Sequence, residues 1–535
     1  MIPRRPFMKC ALACCSWIAV LVPCWASALS VIIRNEHGVV VPARVYLIDS
    51  SNNSIFPNHT IAYDKTSFDG IVEKSFVPPN GVFSIDLPDG AYRIVVERGK
   101  EYLPVDIRIH IRAPRNIKRT VVLHRWINMG ARGWFSADMH VHRPLADLPT
   151  LMDAEDLSAA VPITQWSATW SGGKMNADPS LQHYLSIADA DGIVHLKEGR
   201  FFPVLNEELE SNSSAVLGTF LGRNGVQLAY PFSDFGRAVL ARGGVADSEK
   251  ATSLELPGLA AVGACQTVGL ANNSLWRSGS YLTRWGAWPD RALGQYPQTC
   301  SGFVRAGFDI YAALLDMGFP LKPSAGSASG ALPVPPGWSR IYVHTQAPLT
   351  PQLWVEALKQ GRSFVTTGPM IFLRVNGKEP GDEVHLSQFP LRLHVSLEMF
   401  SLTPVSKAEI VLNGQPHDIA LRLNLKDPHR YSGSTDLTAE SSTWITARWS
   451  AARSNGCDVA HTSPIYFWDG TKPIPVNRDE AEKLLDRVNS LIDQVSKGGS
   501  GGDIVSDSED IRNKTLKYLN QAQEVYLRIL SKPSP

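Results

Sequence analysis

The sequence predicts a multidomain protein in which an α/β region lies between two all-β regions and is followed by a helical tail. A length of 535 residues suggests three or four domains. Alternating polar and apolar residues predict strands over 29–125 and again over 376–470. Apolar runs alternate with helical stretches over 126–375, and apolar stripes with helical spacing occur over 471–535. These three observations give the predicted order of the domains.

Residues 1–28 have the three parts of a bacterial secretion signal. Positive charges come first, then an apolar run, then a small-residue cleavage site: Arg4, Arg5 and Lys9, Cys10–Trp25, and Ala26-Ser27-Ala28. We expect cleavage rather than retention as a membrane anchor, because the Ala-x-Ala pattern follows the apolar run directly. No later run reaches about 18 apolar residues. The mature protein is therefore expected to be secreted or periplasmic, with no integral membrane segment.

The two strand-rich regions are each expected to form a β-sandwich. Apolar residues at every second position indicate a strand with one buried face, as in the series Val105, Ile107, Ile109 and Ile111. About seven such strands in residues 29–125 suggest two packed sheets that support a neighbouring domain or bind a partner. Residues 376–470 suggest a second, C-terminal sandwich.

Between the sandwiches, the 126–375 region is expected to form an α/β layer or barrel. Pro351–Gln360 is a predicted helix, because Thr350 suits the N-cap and Gly361 suits the position after the last turn. In the 471–535 tail, two apolar stripes flank a Gly/Ser break and predict a helical hairpin. The partner of this hairpin is not identified by the sequence.

The net charge bears on the expected partners, and the cysteines bear on the expected disulfide. A formal net charge of +1 gives no electrostatic reason to expect nucleic acid as a partner. Three cysteines follow the signal, namely Cys265, Cys300 and Cys457. Cys265 and Cys300 are expected to form a disulfide because they lie in the same predicted domain, which leaves one free thiol.

The most informative stretch is Asp138-Met139-His140-Val141-His142. Side chains alternate faces along a strand, so Asp138, His140 and His142 are expected on one side of it. Two imidazoles and a carboxylate suit a divalent metal such as zinc, manganese or iron. The alternative is a purely structural role, in which the two histidines cap a strand end and donate hydrogen bonds to nearby carbonyls.

An ordered set of motifs resembles the PHP (polymerase and histidinol phosphatase) superfamily, and more narrowly the secreted CehA/McbA-type metallohydrolases. The matching segments are Gly133–His142, Asn206-Glu207-Glu208, Gly269–Asn273, Ser324–Gly330, Gly361–Pro369 and Ala460–Pro464. The resemblance implies a distorted (β/α)7 barrel with metal at the carboxyl ends of its strands. It also implies hydrolysis by a metal-bound water, whose pKa such an ion lowers to near 7.

The resemblance also implies roles for individual residues. The family's two histidines correspond to His140 and His142. Its carboxylate ligand corresponds to Glu207 or Glu208, with Glu207 preferred. Asp138 is expected to be a ligand or to orient a histidine.

Further residues are candidates for substrate contact or acid catalysis. Lys250, Asn273 and Arg277 are candidates for substrate contact, although surface roles suit them equally. His344, at the end of an apolar run, is the candidate general acid.

The sequence departs from the family pattern late in the barrel. Gly326-Ser327-Ala328-Ser329-Gly330 stands where relatives have Gly-Ser-Asp-x-His, and Ser274 stands where relatives can have a histidine. We therefore expect one metal rather than a cluster. The resulting hypothesis is an exported metal-dependent hydrolase acting on a phosphoester, carbamate or amide of a small molecule or polymer. The alternative is a catalytically degenerate binding or scaffold protein of the cell envelope, which the missing ligands favour and the retained ones oppose.

Overall fold

The computed structural model describes residues 27–67, 70–112, 116–168, 175–211, 214–280, 295–345, 348–386, 388–470, 474–497 and 508–532. Most of the expected signal and the Gly/Ser break at 498–502 therefore lie outside the described residues. The remainder is multidomain and rich in β-sheet, and it ends in a pair of helices.

Two sheets form the N-terminal sandwich and enclose one apolar core. Their strands are β1 (Ser27–Asn35), β2 (Arg44–Asp49), β3 (Ile61–Thr66), β4 (Val72–Val77), β5 (Val82–Leu87), β6 (Gly90–Glu97), β7 (Val105–Ile111) and β8 (Ile117–Leu123). The strand orders are β5-β1-β8 and β3-β4-β2-β6-β7. Leu29 and Val121 of the smaller sheet share their core with Val45 and Ile94 of the larger one.

The central region alternates strands with helices. Its strands are β9 (Trp134–Val141), β10 (Ala159–Pro162), β11 (Gln165–Ala168), β12 (Met175–Ala177), β13 (Ile193–His195), β14 (Phe201–Pro203), β15 (Glu207–Glu210), β16 (Ala215–Thr219), β17 (Val245–Ser248), β18 (Thr267–Ala271), β19 (Lys322–Ala325), β20 (Arg340–His344) and β21 (Ser363–Thr366). Its helices are α1 (Leu148–Ala154), α2 (Leu181–Ile187), α3 (Phe232–Ala241), α4 (Leu256–Ala261), α5 (Cys300–Asp316) and α6 (Pro351–Gln360).

Seven of these strands form one sheet in the order β12-β11-β15-β16-β17-β18-β19, in which β17, β18 and β19 run parallel. Backbone bonds join this sheet to the β9–β10 pair at two places. On one side, Ala328 N–H donates to the His140 carbonyl (2.7 Å); on the other, Thr164 N–H donates to the Asn206 carbonyl (3.0 Å). The bridge at Val141 and Ser329 is parallel, so the carboxyl ends of β9 and β17–β19 face the same edge.

The C-terminal sandwich shares a sheet with the central region. Its strands are β22 (Met370–Val375), β23 (Glu383–Leu386), β24 (Leu391–Phe400), β25 (Lys407–Leu412), β26 (Gln415–Ala420), β27 (Arg422–Asn424), β28 (Asp427–Ala439), β29 (Thr443–Arg453), β30 (Gly456–Thr462) and β31 (Ile465–Asp469). One twelve-stranded sheet runs β13-β14-β10-β9-β20-β21-β30-β29-β25-β26, with β31 paired to β29 and β23 to β31. The strands β22-β24-β28-β27 form the second layer. This continuity couples the second sandwich to the strand that carries the histidines.

Two helices complete the chain, α7 (Arg478–Ser496) and α8 (Glu509–Ser531). They pack on each other and on α4. The Tyr526 hydroxyl donates to the Pro257 carbonyl (3.0 Å), and Arg487 donates to the carbonyls of Thr252 and Ser253 (2.9 and 3.1 Å). Within the described part of the chain, no helix combines the length and apolar character needed to cross a membrane.

Helix α6 confirms the local prediction for Pro351–Gln360. The Thr350 hydroxyl accepts the Leu353 N–H at 3.2 Å, and Gly361 adopts a φ of 77°, in the left-handed region. The disulfide prediction was wrong: Cys300 is bonded to Cys457, and Cys265 is a buried free thiol. Strand β30 passes beside the start of α5, so the sheet order brings together two cysteines that are remote in sequence.

Candidate metal centre

Strand β9 places two histidines at its carboxyl end. His140 is the penultimate residue of the strand, and His142 follows it directly. Their side chains point to the same side, as the alternation predicts, and their Nε2 atoms are 2.9 Å apart. Two imidazole nitrogens this close, within an otherwise buried environment, are arranged as paired ligands would be.

Glu208 of β15 completes the group from across the central region. Its carboxylate oxygens lie 3.4 Å from Nε2 of His140 and 3.1 Å from Nε2 of His142. Two ligand atoms about 2.1 Å from one ion, at angles of about 90–109°, lie about 3.0–3.4 Å apart. The observed separations of 2.9, 3.1 and 3.4 Å, the last two to different Glu208 oxygens, lie close to that spacing, so His140, His142 and Glu208 could hold a divalent metal ion.

Glu207, the glutamate preferred from the sequence, faces the other side of β15. Its two carboxylate oxygens accept the Val226 N–H, each at 3.2 Å. Burial raises the pKa of Glu207 to about 7. The structure therefore places Glu207 outside the metal-compatible group and Glu208 inside it.

Asp138 is buried but does not join the three metal-compatible side chains either. Its carboxylate accepts the backbone N–H groups of His140, Ser327 and Gly337 at 3.1, 2.9 and 2.6 Å, and the Ser327 hydroxyl at 2.5 Å. These bonds fasten the 326–329 segment after β19 to the end of β9. Asp138 thus shapes the backbone around His140 instead of supplying a ligand.

Glu249, which no sequence motif indicated, lies behind His140. It follows β17 directly, and its carboxylate is 3.3 Å from His140 Nδ1. The Asn273 amide donates to one Glu249 oxygen, and the Lys250 ammonium pairs with the other. Lys250 and Asn273, predicted as substrate contacts, are therefore buried partners of a carboxylate. The parallel order of β17 and β18 brings Glu249 and Asn273 together, a relationship that local sequence does not reveal.

The electrostatics of the group follow from burial opposed by ion pairing. Burial lowers the pKa of His140, but the carboxylates of Glu208 and Glu249 outweigh it and hold the pKa well above its ordinary value. Burial raises the pKa of Glu208, yet His140 and His142 hold it well below its usual range. Without an ion, these charges stabilise one another at short range.

Glu210 adds a third carboxyl on the Glu208 face of β15, two residues further along the strand. Burial, together with the neighbouring carboxylates of Glu208 and Glu249, raises its pKa well above the ordinary value. The Trp166 ring meets the His142 ring edge-on, with 6.0 Å between centroids. These two side chains border the group on the side of β11 and β15.

Two other candidates lie elsewhere. His344 is paired across the sheet with Trp134, six residues before His140, or about 20 Å along β9. It stacks on Trp134, lies 3.2 Å from the Glu379 carboxylate and lines a separate groove of 420 Å³. Arg277 pairs with Glu97 of the N-terminal sandwich at 2.5 Å. The structure brings neither residue to the histidine pair.

No family model matches the chain, and no curated protein matches it. Among solved structures, a streptococcal ancillary pilin is similar to this chain over 22% of this chain's length and 37% of the pilin's length, with 17% identity and a TM-score of 0.14. Likeness at that level carries no inference about fold or function.

Proposed function

We propose that this protein is an exported metal-dependent hydrolase of the PHP type, similar to the CehA/McbA enzymes, with a PHP-like barrel as its central domain. The observation that carries the proposal is the convergence of His140, His142 and Glu208 at separations of 2.9–3.4 Å. Two histidines and one carboxylate leave coordination positions open, as hydrolytic metal sites require. The ligand set suits zinc, manganese or iron.

A bound divalent ion would supply a Lewis acid that lowers the pKa of water to near 7 and polarises a scissile phosphoester, carbamate or amide. The protein side chains set the charge of the site. Glu208 would contribute one negative charge and neutral imidazoles none, so a centre that held a divalent ion would keep a net positive charge. That charge favours the negative charge that develops on the scissile group during hydrolysis.

Access to the site comes from the His142 side. The His142 side chain is 15% exposed, whereas those of His140 and Glu208 are 3% and 2% exposed. A substrate therefore approaches past His142 and the Trp166 ring beside it. An aromatic side chain at this position offers an apolar or sugar-like part of the substrate a surface on which to stack.

Export is supported by the described residues as well as by the expected signal. The Cys300–Cys457 disulfide joins α5 to β30. Structural disulfides persist in oxidising compartments such as the periplasm. A secreted or periplasmic location therefore suits the chain.

The test is metal content combined with hydrolysis, measured on the full chain. Wild-type protein should retain close to one zinc, manganese or iron by elemental mass spectrometry, and should cleave at least one of a p-nitrophenyl phosphodiester, carbamate or anilide. His140→Ala/His142→Ala should lose both properties. His344→Ala is the matched control, because His344 is the last residue of β20 and lies beside the far end of β9; this variant should keep both properties. Wild-type protein that binds no metal after reconstitution would overturn the proposal; metal without hydrolysis would favour the degenerate binding protein.

A further inference from the structure

The Nδ1 atom of His140 is a buried polar atom without a hydrogen bond in the described part of the chain, and it lies next to the proposed metal centre. His140 is 2% exposed, and its Nδ1 has no partner of good hydrogen-bond geometry among the described residues. The Glu249 carboxylate lies 3.3 Å away, longer than the usual 2.7–2.9 Å of a charge-assisted bond but within reach of one. A buried imidazole N–H without an acceptor is costly, so this carboxylate is its natural partner.

Glu249 is itself held from two directions. The Asn273 amide and the Lys250 ammonium engage different carboxylate oxygens, and all three side chains are at most 6% exposed. Lys250 also neutralises the charge of Glu249, so the pair adds no net charge to the ligand group. Gly269 leaves the backbone of β18 in close contact with the Glu249 carbonyl, where a Cβ would overlap it. The carboxylate position is therefore determined by β18 as well as by β17.

We propose that Glu249 is the positioning residue of the metal centre, which accepts the His140 Nδ1–H and so directs the Nε2 lone pair toward the ion. The inference rests on the proposed metal site. With Nδ1 protonated, Nε2 is the nitrogen free to bind metal, and it is the one that faces His142 and Glu208. Glu249 does not itself bind the metal. It fixes the tautomer and the orientation of His140, as carboxylates behind metal-bound histidines do.

The experiment compares metal affinity in Glu249→Gln and Glu255→Gln full-length proteins. Glu255 is a buried glutamate of the same loop, and its backbone N–H donates to the Ser214 hydroxyl at 3.3 Å. Zn²⁺ and Co²⁺ dissociation constants are measured by chelator competition, and the visible absorption of the Co²⁺ form is recorded. We expect E249Q to weaken binding about 10- to 100-fold and to shift the Co²⁺ bands. E255Q should bind within about twofold of wild type, with an unchanged spectrum.

Asn273→Ala provides a second variant if E249Q does not fold. It removes the amide that holds Glu249 while keeping the carboxylate, and is expected to weaken Co²⁺ binding by a smaller factor, about three- to tenfold. If E249Q and N273A both bind metal with the affinity and the spectrum of the wild type, the inference is overturned, whereas the metal site itself stands. Failure of the wild-type protein to bind either metal would instead overturn the proposed function.

Discussion

Glu207 and Glu208 are adjacent in sequence but serve opposite sides of β15, one bonded to the Val226 backbone and the other within 3.4 Å of both histidines. The pair allows an internal comparison of metal affinity, because Glu207→Gln and Glu208→Gln make the same chemical change on opposite faces of one strand. Each replaces a carboxyl group of the same strand with an amide.

Glu208→Gln is expected to weaken metal binding by at least about 100-fold, because it removes an anionic ligand. Glu207→Gln should leave the affinity within about threefold of wild type. Isothermal titration of Zn²⁺ into metal-free protein measures both. Equal losses in the two variants would contradict the assignment of Glu208 as the ligand.

Gly326→Ala should impair the same centre without touching a ligand. A Cβ at Gly326 would overlap the Cβ of His140, so the 326–329 segment or the histidine must shift. We expect about a tenfold or greater loss of metal affinity, because ligand positions tolerate little displacement. Gly470→Ala, where the new Cβ meets nothing within 4 Å, is the control. Unchanged Zn²⁺ affinity in G326A would show that the segment can move away freely.

Asp316 should make the stability of the protein depend on pH. Burial raises its pKa to about 7 even though the Trp444 indole N–H donates to it at 2.8 Å. The unfolded chain loses this proton near pH 4 and the folded chain near pH 7, so the contribution of Asp316 to stability falls across that interval and is level above it.

Asp316→Asn should remove this dependence, since an amide oxygen still accepts the Trp444 N–H without ionising. Its advantage over wild type should grow from pH 4 to pH 7 and reach about 2–4 kcal/mol. Calorimetric unfolding at pH 4.5, 6 and 8 measures it. Asp418→Asn, at an exposed carboxylate 2.8 Å from Lys407, is the surface control. A constant difference between D316N and wild type across the three pH values would be inconsistent with a buried, protonated Asp316.

The disulfide gives a further prediction. Digestion without reduction should yield a peptide pair that links Cys300 to Cys457, with Cys265 alkylated only after unfolding. The Cys300→Ser/Cys457→Ser double variant should lose about 3–5 kcal/mol of stability, because the bond closes a long loop. Cys265→Ala is the control and should keep the link. A Cys265–Cys300 peptide would refute the pairing.

The sequence predicted those features that depend only on interactions between residues close together in the chain. The alternation around His140 and His142 requires only that the segment be a strand, and the capping of Pro351–Gln360 requires only neighbouring residues. The glutamate of the metal-compatible group was harder to choose, because β15 carries carboxylates on both faces and gives no apolar pattern from which to infer the inward one.

Other features depend on which strands become neighbours. Glu249 reaches His140 because β17 and β9 end at the same edge, and Cys457 reaches Cys300 because β30 passes beside α5. Neither relationship leaves a motif in the chain. Asp138 was placed on the correct strand, but its bonds to the 326–329 segment depend on a close approach made possible by Gly326.

The contact of Arg487 with the Thr252 and Ser253 carbonyls has a consequence for the order in which the protein matures. The loop that carries Glu249 is supported from behind by α7, whereas the histidines are delivered by β9. A ribosome makes β9 long before it makes α7. The histidine pair is therefore synthesised well before the helix that supports its partner loop, and the fully supported group of side chains forms only after α7 has been made.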